Sequence, residues 1–249
     1  MSANKRLGLI GLGQFGRYAV PYLAPRFDLL VHDTADIEAS ARQLGVRSVT
    51  LEEAASCEVV VLAVPIQALR ATLGEIAGSV RDGALVVDVC SVKGAPLQWM
   101  REALPENVEI IGTHPMFGPN SAGDSLEGQQ IVVCPERTTR LDQVQTFLEG
   151  LGLRVIVTDA DRHDRECAHT QALAQYLGRA LRRVEGRELD IRTPAAIYLR
   201  EVERIVEADS WELFAAIETI NPYAAEMRRA IRKRLDELDE RLADEPTSR

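Results

Sequence analysis

Gly112-Thr113-His114-Pro115-Met116-Phe117-Gly118-Pro119 holds the side chain with the clearest claim to chemistry. His114 is one of only four histidines in the chain. With an ordinary pKa of roughly 6.5, it can take up or release a proton near neutrality. The apolar run Val108-Glu109-Ile110-Ile111 before it reads as a buried strand. Two glycines and two prolines then predict a loop. Loops that follow the strands of an α/β sheet are where such sheets bind ligands, which suits His114 to proton removal during a redox step. The alternative is a structural histidine hydrogen-bonded in a turn.

A second chemical signal opens the chain. Gly11-Leu12-Gly13-Gln14-Phe15-Gly16 is a GxGxxG run between a short apolar strand and a helical pattern, and Asp33 follows about 20 residues on. In that setting Gly11 allows the tight turn, Gly13 lets the backbone approach a pyrophosphate, and Gly16 lets helix pack on strand. Gln14 and Phe15 fill the variable positions, at a helix N-terminus whose N–H groups favour an anion. Asp33 ends the second strand, where a carboxylate hydrogen-bonds ribose hydroxyls and repels a 2′-phosphate. No Lys or Arg follows before Arg42, so NAD is expected over NADP. Asp33 could instead cap a helix. Pro65 follows the next strand, at the end expected beside the nicotinamide. Ser91 and Lys93 follow the strand Ala84 to Cys90. A serine there could orient a histidine, hold a substrate hydroxyl or cap the next helix. A lysine there could attract a carboxylate or remain solvated.

The elements that must position these residues follow from the pattern. Phe27 to Asp33, Glu58 to Val64, Ala84 to Cys90, Gln130 to Cys134 and Arg154 to Thr158 are apolar, β-branched runs separated by helical stretches. Such continuously apolar strands belong to parallel sheets covered on both faces. After Asp159 the strands stop and the helical period takes over. The expected fold is α/β: an N-terminal Rossmann doubly wound parallel sheet over residues 1–158, then an all-helical domain over 159–249. His163-Asp164 opens the first long helix of that second domain, with Asp164 read as its N-cap. Asn221-Pro222 is read as the cap of a last helix, on which Met227, Ile231, Leu235, Leu238 and Leu242 form one stripe. That stripe predicts a homodimer built on the helical half. The tail beyond Leu242 reads as disordered.

Composition narrows the functional class. Among 249 residues, 46% are hydrophobic, and 38 acidic against 29 basic residues give a net charge of −9. This excess of acid argues against nucleic acid as a partner. The four cysteines, at 57, 90, 134 and 167, lack metal-ligand or CxxC spacing, so they read as reduced and structural, in a cytoplasmic protein with no metal site. No apolar stretch has the length of a membrane span, no signal peptide is recognisable, and no appended regulatory domain is expected.

The loop Thr113-His114-Pro115-Met116-Phe117-Gly118-Pro119 resembles the catalytic loop of the prephenate/arogenate dehydrogenases of tyrosine biosynthesis. So do Asp88-Val89-Cys90-Ser91-Val92-Lys93, the stretch from His163 to Leu181, and Asp209-Ser210-Trp211-Glu212-Leu213-Phe214. The last two are most similar to the plant and cyanobacterial branch. The resemblance implies oxidative decarboxylation of a small cyclohexadienol, prephenate or arogenate, with NAD. It implies that His114 is the proton acceptor and that Ser91 hydrogen-bonds it. It places Gln171 near the substrate and an arginine on a later helix against a substrate carboxylate, while Lys93 is a candidate for a carboxylate by its charge alone. Arg204 aligns best for that part, with Arg200 as the fallback. Without the resemblance, both arginines could belong to a solvated face with Glu201 and Glu203. Trp211 and Glu212 follow in the substrate-binding segment. An acid at Glu212 favours the ammonium of arogenate over prephenate, which has none. It could also be a first-turn helix acid favoured by the dipole. Two other readings remain: a β-hydroxyacid dehydrogenase, which would want a lysine that Arg165 to Leu181 lacks, and a non-catalytic NAD-sensing module.

Overall fold

Eight strands pair edge to edge in a single sheet: β1 (Arg6–Ile10), β2 (Asp28–His32), β3 (Arg47–Ser48), β4 (Val59–Leu62), β5 (Leu85–Asp88), β6 (Glu109–Pro115), β7 (Gln130–Arg137) and β8 (Arg154–Val157). The computed structural model describes residues 5–119, 121, 123, 125–185 and 191–245. The strand order is β3-β2-β1-β4-β5-β6-β7-β8. Every pairing is parallel except β6 with β7, which is antiparallel. Between the strands run α1 (Gln14–Leu23), α2 (Glu38–Gln43), α3 (Leu51–Ala55), α4 (Ile66–Ile76), α5 (Gly94–Ala103) and α6 (Leu141–Glu149). This is the doubly wound arrangement that the apolar runs imply, with one reversed pair added near its far edge.

The central strands are buried on both faces. Leu7, Leu9, Val60, Val86, Ile110, Ile111 and Val133 are all withdrawn from solvent. Successive side chains of a strand point to opposite faces. On one face Leu7 and Leu9 pack with residues of α1, and Leu85, Val87, Ile111 and Val133 pack with α6. An apolar cavity of about 330 Å³ remains on that face, lined in part by Tyr18, Tyr22, Val61, Val87, Phe117 and Phe147. On the opposite face α3 crosses so close to β1 that a Cβ at Gly8 would stand 1.9 Å from the Ala54 carbonyl oxygen. Thr50 starts α3, its hydroxyl accepting from the Glu53 amide at 3.2 Å.

The chain divides into two compact units after His163. α7 (Ala160–Cys167) runs across that division, followed by a π-helical turn (Ala168–Ala172) and α8 (Leu173–Glu185). α9 (Pro194–Glu207), α10 (Trp211–Ile220) and α11 (Ala224–Ala243) complete the second unit. Thr193 and Ser210 cap α9 and α10 by accepting from Ala196 and Leu213. The small core of this unit gathers Ala172, Ile217, Ala224 and Met227, with Leu173, Leu213 and Ile231 around it. Gly178 lets α8 and α9 touch, since a Cβ there would lie 2.8 Å from a methyl of Val206. No helix among the described residues is long and apolar enough to cross a membrane. The last four residues of the C-terminal tail lie outside the described residues.

Three local expectations are corrected. His114 does not sit in a loop: β6 continues through Pro115, because β7 returns antiparallel and pairs Thr113 with Val133 and His114 with Val132. Asp164 is not an N-cap but lies inside α7, 1% exposed. The helix opens one turn earlier, where the Asp159 carboxylate accepts from the Arg162 amide at 2.8 Å. Asn221 stands just ahead of α11 rather than at its N-cap, which is Tyr223. Its side chain spans the turn, accepting from the Tyr223 amide and donating to the Asp164 carbonyl.

The contact of Gly8 with α3 predicts that Gly8→Ala, a conservative change elsewhere in a strand, costs about 1–3 kcal/mol or more by overpacking. Urea denaturation of the two proteins would measure it.

Candidate functional site

The glycine-rich turn leaves β1 as the fingerprint requires. Gly11 has φ +102°, in the left-handed region, and its amide donates to the His32 carbonyl at 2.8 Å. A Cβ at Gly16 would stand 2.2 Å from the Gly11 carbonyl oxygen, so the first turn of α1 packs tightly on the loop. In contrast, a Cβ at Gly13 meets nothing within 4 Å, which leaves open ground before the N-terminus of α1. Gly13 is the N-cap and offers no side-chain acceptor. The amides that begin the helix, at Gln14 and Phe15, are therefore available to an anion. Asp33 lies across the turn: one carboxylate oxygen accepts from the Leu12 amide at 2.7 Å, the other from Ala35 at 3.0 Å. Pro65 is the residue before α4, beyond the end of β4. A turn of this shape, donor-rich and closed by a carboxylate, fits a dinucleotide.

At the neighbouring strand ends lies a buried polar cluster. Asp88 and Lys93 are both 0% exposed, and their carboxylate and ammonium meet at 2.5 Å. The Lys93 ammonium also donates to the Thr113 carbonyl at 2.6 Å. Asp88 accepts from the Cys90 amide at 2.9 Å, and its own carbonyl accepts from the Thr113 hydroxyl at 2.7 Å. This arrangement ties the end of β5 to β6 one residue before His114. Gly112 makes room for it: a Cβ there would press on the Lys93 stem at 3.1 Å and on Asp88 Oδ1 at 3.2 Å. The lysine considered from sequence as a carboxylate ligand is thus buried in the strand ends. Ser91, in the bend after β5, makes no hydrogen bond to His114 among the described residues.

Thr113 and Pro115 face the apolar cavity, so His114 between them points to the other face. There its Nδ1 lies 2.9 Å from Nε2 of His163, on α7. The two rings meet at 66° with centroids 5.1 Å apart. His114 is 2% exposed and His163 3%. Burial pushes the pKa of His114 well below the ordinary histidine value, and His163 and the Lys93 ammonium push it further the same way. His114 is therefore a neutral imidazole at physiological pH. In the sequence His163 marks only the start of a helix. Its rarity in the chain was a signal, but which ring it would meet was not written in the pattern.

The second unit holds the other residues singled out from sequence. Gln171 lies in the π-helical turn, a distortion frequent at functional sites, and its side-chain oxygen is buried without a hydrogen-bond partner among the described residues. Arg204, on the exposed side of α9, is held by Glu201 through two hydrogen bonds at 3.0 and 2.6 Å. Arg200 lies one turn before it. Trp211 is 64% exposed and packs on Phe214 with centroids 5.1 Å apart. Glu212 is in the first turn of α10, after the Ser210 cap. The segment Asp209 to Glu212 is braced by two residues that no motif marked. Gln175 donates to the Asp209 carboxylate. Arg179 donates to the carbonyls of Val206, Asp209 and Ser210 and lies 4.8 Å over the Phe214 ring. The remaining histidines are peripheral: His32 is hydrogen-bonded to the Val49 carbonyl at 3.0 Å, and His169 is on the surface.

Comparison with known proteins identifies the family of the chain. Residues 29–157 match the family described as prephenate dehydrogenase, nucleotide-binding domain. A probable arogenate/prephenate dehydrogenase of Methanocaldococcus jannaschii is 28% identical, over 96% of this chain and 57% of its own length. The chloroplastic arogenate dehydrogenase 2 of Arabidopsis thaliana is 29% identical, over 90% of this chain and 66% of its own. The chain thus spans less than two thirds of the length of these curated relatives. Among solved structures, Synechocystis arogenate dehydrogenase superposes with a TM-score of 0.73 at 21% identity, covering 96% of this chain and 92% of that one. An Aquifex aeolicus prephenate dehydrogenase in complex with hydroxyphenyl propionate and NAD+ gives 0.78 at 20% identity, covering 96% and 91%. At such identities the two structures establish the shared fold.

The buried pair yields a stability prediction. Lys93→Met strands the Asp88 carboxylate in the interior, at an expected cost of about 3–5 kcal/mol. The double variant Lys93→Met/Asp88→Asn removes the stranded charge and should recover much of that loss in a denaturant titration.

Proposed function

This chain belongs to the prephenate dehydrogenase family, and on that premise we propose that it oxidatively decarboxylates a cyclohexadienol, arogenate in preference to prephenate, with NAD. The observation that carries the reading is a neutral, buried His114 at the carboxyl edge of a sheet whose first turn is built for a dinucleotide. Gly11, Gly13, Gln14, Phe15, Gly16 and Pro65 would hold the cofactor, with Asp33 on the ribose. NAD, when bound, supplies the hydride acceptor. The work left to the protein is to orient the substrate and to take one proton. Nε2 of His114 takes the proton of the ring hydroxyl as the carbinol carbon gives up its hydride. The ring carboxylate then leaves as carbon dioxide and the ring becomes aromatic, so the energetic drive comes from the substrate itself.

Substrate recognition is assigned to Arg204 for a carboxylate, to the buried acceptor of Gln171, and to Trp211 and Glu212. Arg204 would exchange Glu201 for the substrate, trading one two-pronged carboxylate contact for another. Glu212 would favour the arogenate ammonium. Ser91 is assigned to the substrate hydroxyl or to His114 once substrate is bound, and Lys93 acts through the strand it clamps. The four buried, unbridged cysteines suit a reducing, cytoplasmic setting. The apolar stripe of α11 begins buried at Met227 and ends with Leu235, Leu238 and Leu242 exposed by 54%, 52% and 70%. A second copy of the helical unit would cover it, giving a homodimer.

Kinetics and sedimentation test these assignments. A side-by-side assay of arogenate and prephenate with NAD and NADP is expected to give the highest kcat/KM for arogenate with NAD. Glu212→Gln should then move preference toward prephenate; a wild type that prefers prephenate or NADP would overturn the corresponding assignment. His114→Asn should keep NAD affinity and lose about 10²–10⁴-fold in kcat. Because the base form of His114 persists down to its depressed pKa, the acidic limb of the wild-type kcat/KM profile should lie below pH 6.5. Finally, Leu238→Glu should shift the protein from dimer to monomer in sedimentation.

A further inference from the structure

We propose that His163 sets the tautomer of His114 and so decides which of its nitrogens is the proton acceptor. The inference rests on the assignment of His114 as the base, and it concerns how that base is kept ready. Nδ1 of His114 and Nε2 of His163 are 2.9 Å apart. A hydrogen bond between them needs one proton between the two nitrogens, and it can be arranged in two ways. If His163 donates, His114 carries its own proton on Nε2 and has nothing with which to accept another. If His114 donates from Nδ1, its Nε2 lone pair is bare. Only the second arrangement makes a base, and it requires His163 to be the Nδ1–H tautomer with Nε2 as acceptor. Among the described residues no other hydrogen bond to the His114 ring competes for this part.

A neutral acceptor here has a consequence that a carboxylate would not. The histidines of hydrolase triads lean on a carboxylate, which stabilises the imidazolium. In this buried site a carboxylate at the same place would also raise the resting pKa and hold His114 protonated. An imidazole nitrogen orients Nδ1–H without that charge. When Nε2 takes the hydroxyl proton, the Nδ1–H bond to His163 becomes charge-assisted and strengthens. The contact is therefore worth more after proton transfer than before, the condition for it to aid the chemical step.

The sheet delivers His163 to this position. β7 pairs His114 with Val132, and β8 pairs Val132 with Ile156. The Thr158 amide donates to the Val133 carbonyl, closing the end of β8 against β7. Four residues beyond Ile156 α7 begins, with the His163 amide donating to the Asp159 carbonyl at 3.0 Å in its first turn. The reversed β6–β7 pair is thus what brings the two histidines into register.

The test uses the full chain labelled with ¹⁵N-histidine, together with His163→Leu and His163→Gln. In the wild type at pH 7.5, the His114 signals should show a protonated Nδ1 and a bare Nε2. His163→Leu should keep NAD affinity while lowering kcat on the order of 10–100-fold, part of what a general base contributes. His163→Gln places an amide oxygen where Nε2 stood and should restore most of that loss, which a purely structural role would not predict. A wild-type His114 protonated on Nε2, or a folded His163→Leu within about two-fold of wild-type kcat, would overturn the proposal. If the wild type turned over neither substrate, the proposed activity would fail by itself, and the ¹⁵N spectrum would still decide the tautomer.

Discussion

The ion pair between Lys93 and Asp88 is the constraint on which the site depends. Two opposite charges without solvent are costly unless geometry and further hydrogen bonds compensate. Here the Thr113 carbonyl, on the strand that carries the candidate base, accepts from the ammonium, and the Cys90 amide donates to the carboxylate. Satisfying the charges therefore holds the ends of β5 and β6 in one arrangement. Gly112 is part of that requirement, since a side chain there would displace the lysine stem. The ammonium also contributes through space, disfavouring a second positive charge on His114. The lysine stem and His114 share one face of β6, the face toward which a Cβ at Gly112 would point.

The sheet makes a division of labour possible. On its β1 side the parallel strands end in a turn whose exposed amides and positive φ suit a dinucleotide. On its β6 side the chain reverses direction, and β7 and β8 extend the sheet to the start of α7. The first half is common to dinucleotide-binding sheets. The second is what gives His114 a histidine partner, because an antiparallel neighbour prolongs β6 past the point at which a parallel strand would have turned into a loop.

The helical unit is organised around a different problem. Its polar residues are held by other side chains and by helix ends: Arg179 spans the junction of α9 and α10, Gln175 holds Asp209, and Arg228 pairs with Glu218. Burial raises the pKa of Asp209 and of Glu218, against the pull of those partners. The segment from Asp209 to Glu212 is thereby fixed in its backbone while Trp211 remains open.

Sequence alone determined the elements and the chemistry they could carry. The apolar runs gave the strands, the glycine spacing gave the dinucleotide turn, and His114 stood out by type and setting. These are local properties, set by periodicity, φ preference and capping within a few residues. What the tertiary structure decided was which residues meet. Lys93 finds Asp88 and Thr113, His114 finds His163 across 49 residues, and Arg179 finds the carbonyls that end α9. Each contact depends on strand order and register, and above all on the reversal between β6 and β7. Nothing near Pro115 announced that reversal, because the hydrogen bonds that hold His114 in a strand belong to residues some twenty positions further along the chain.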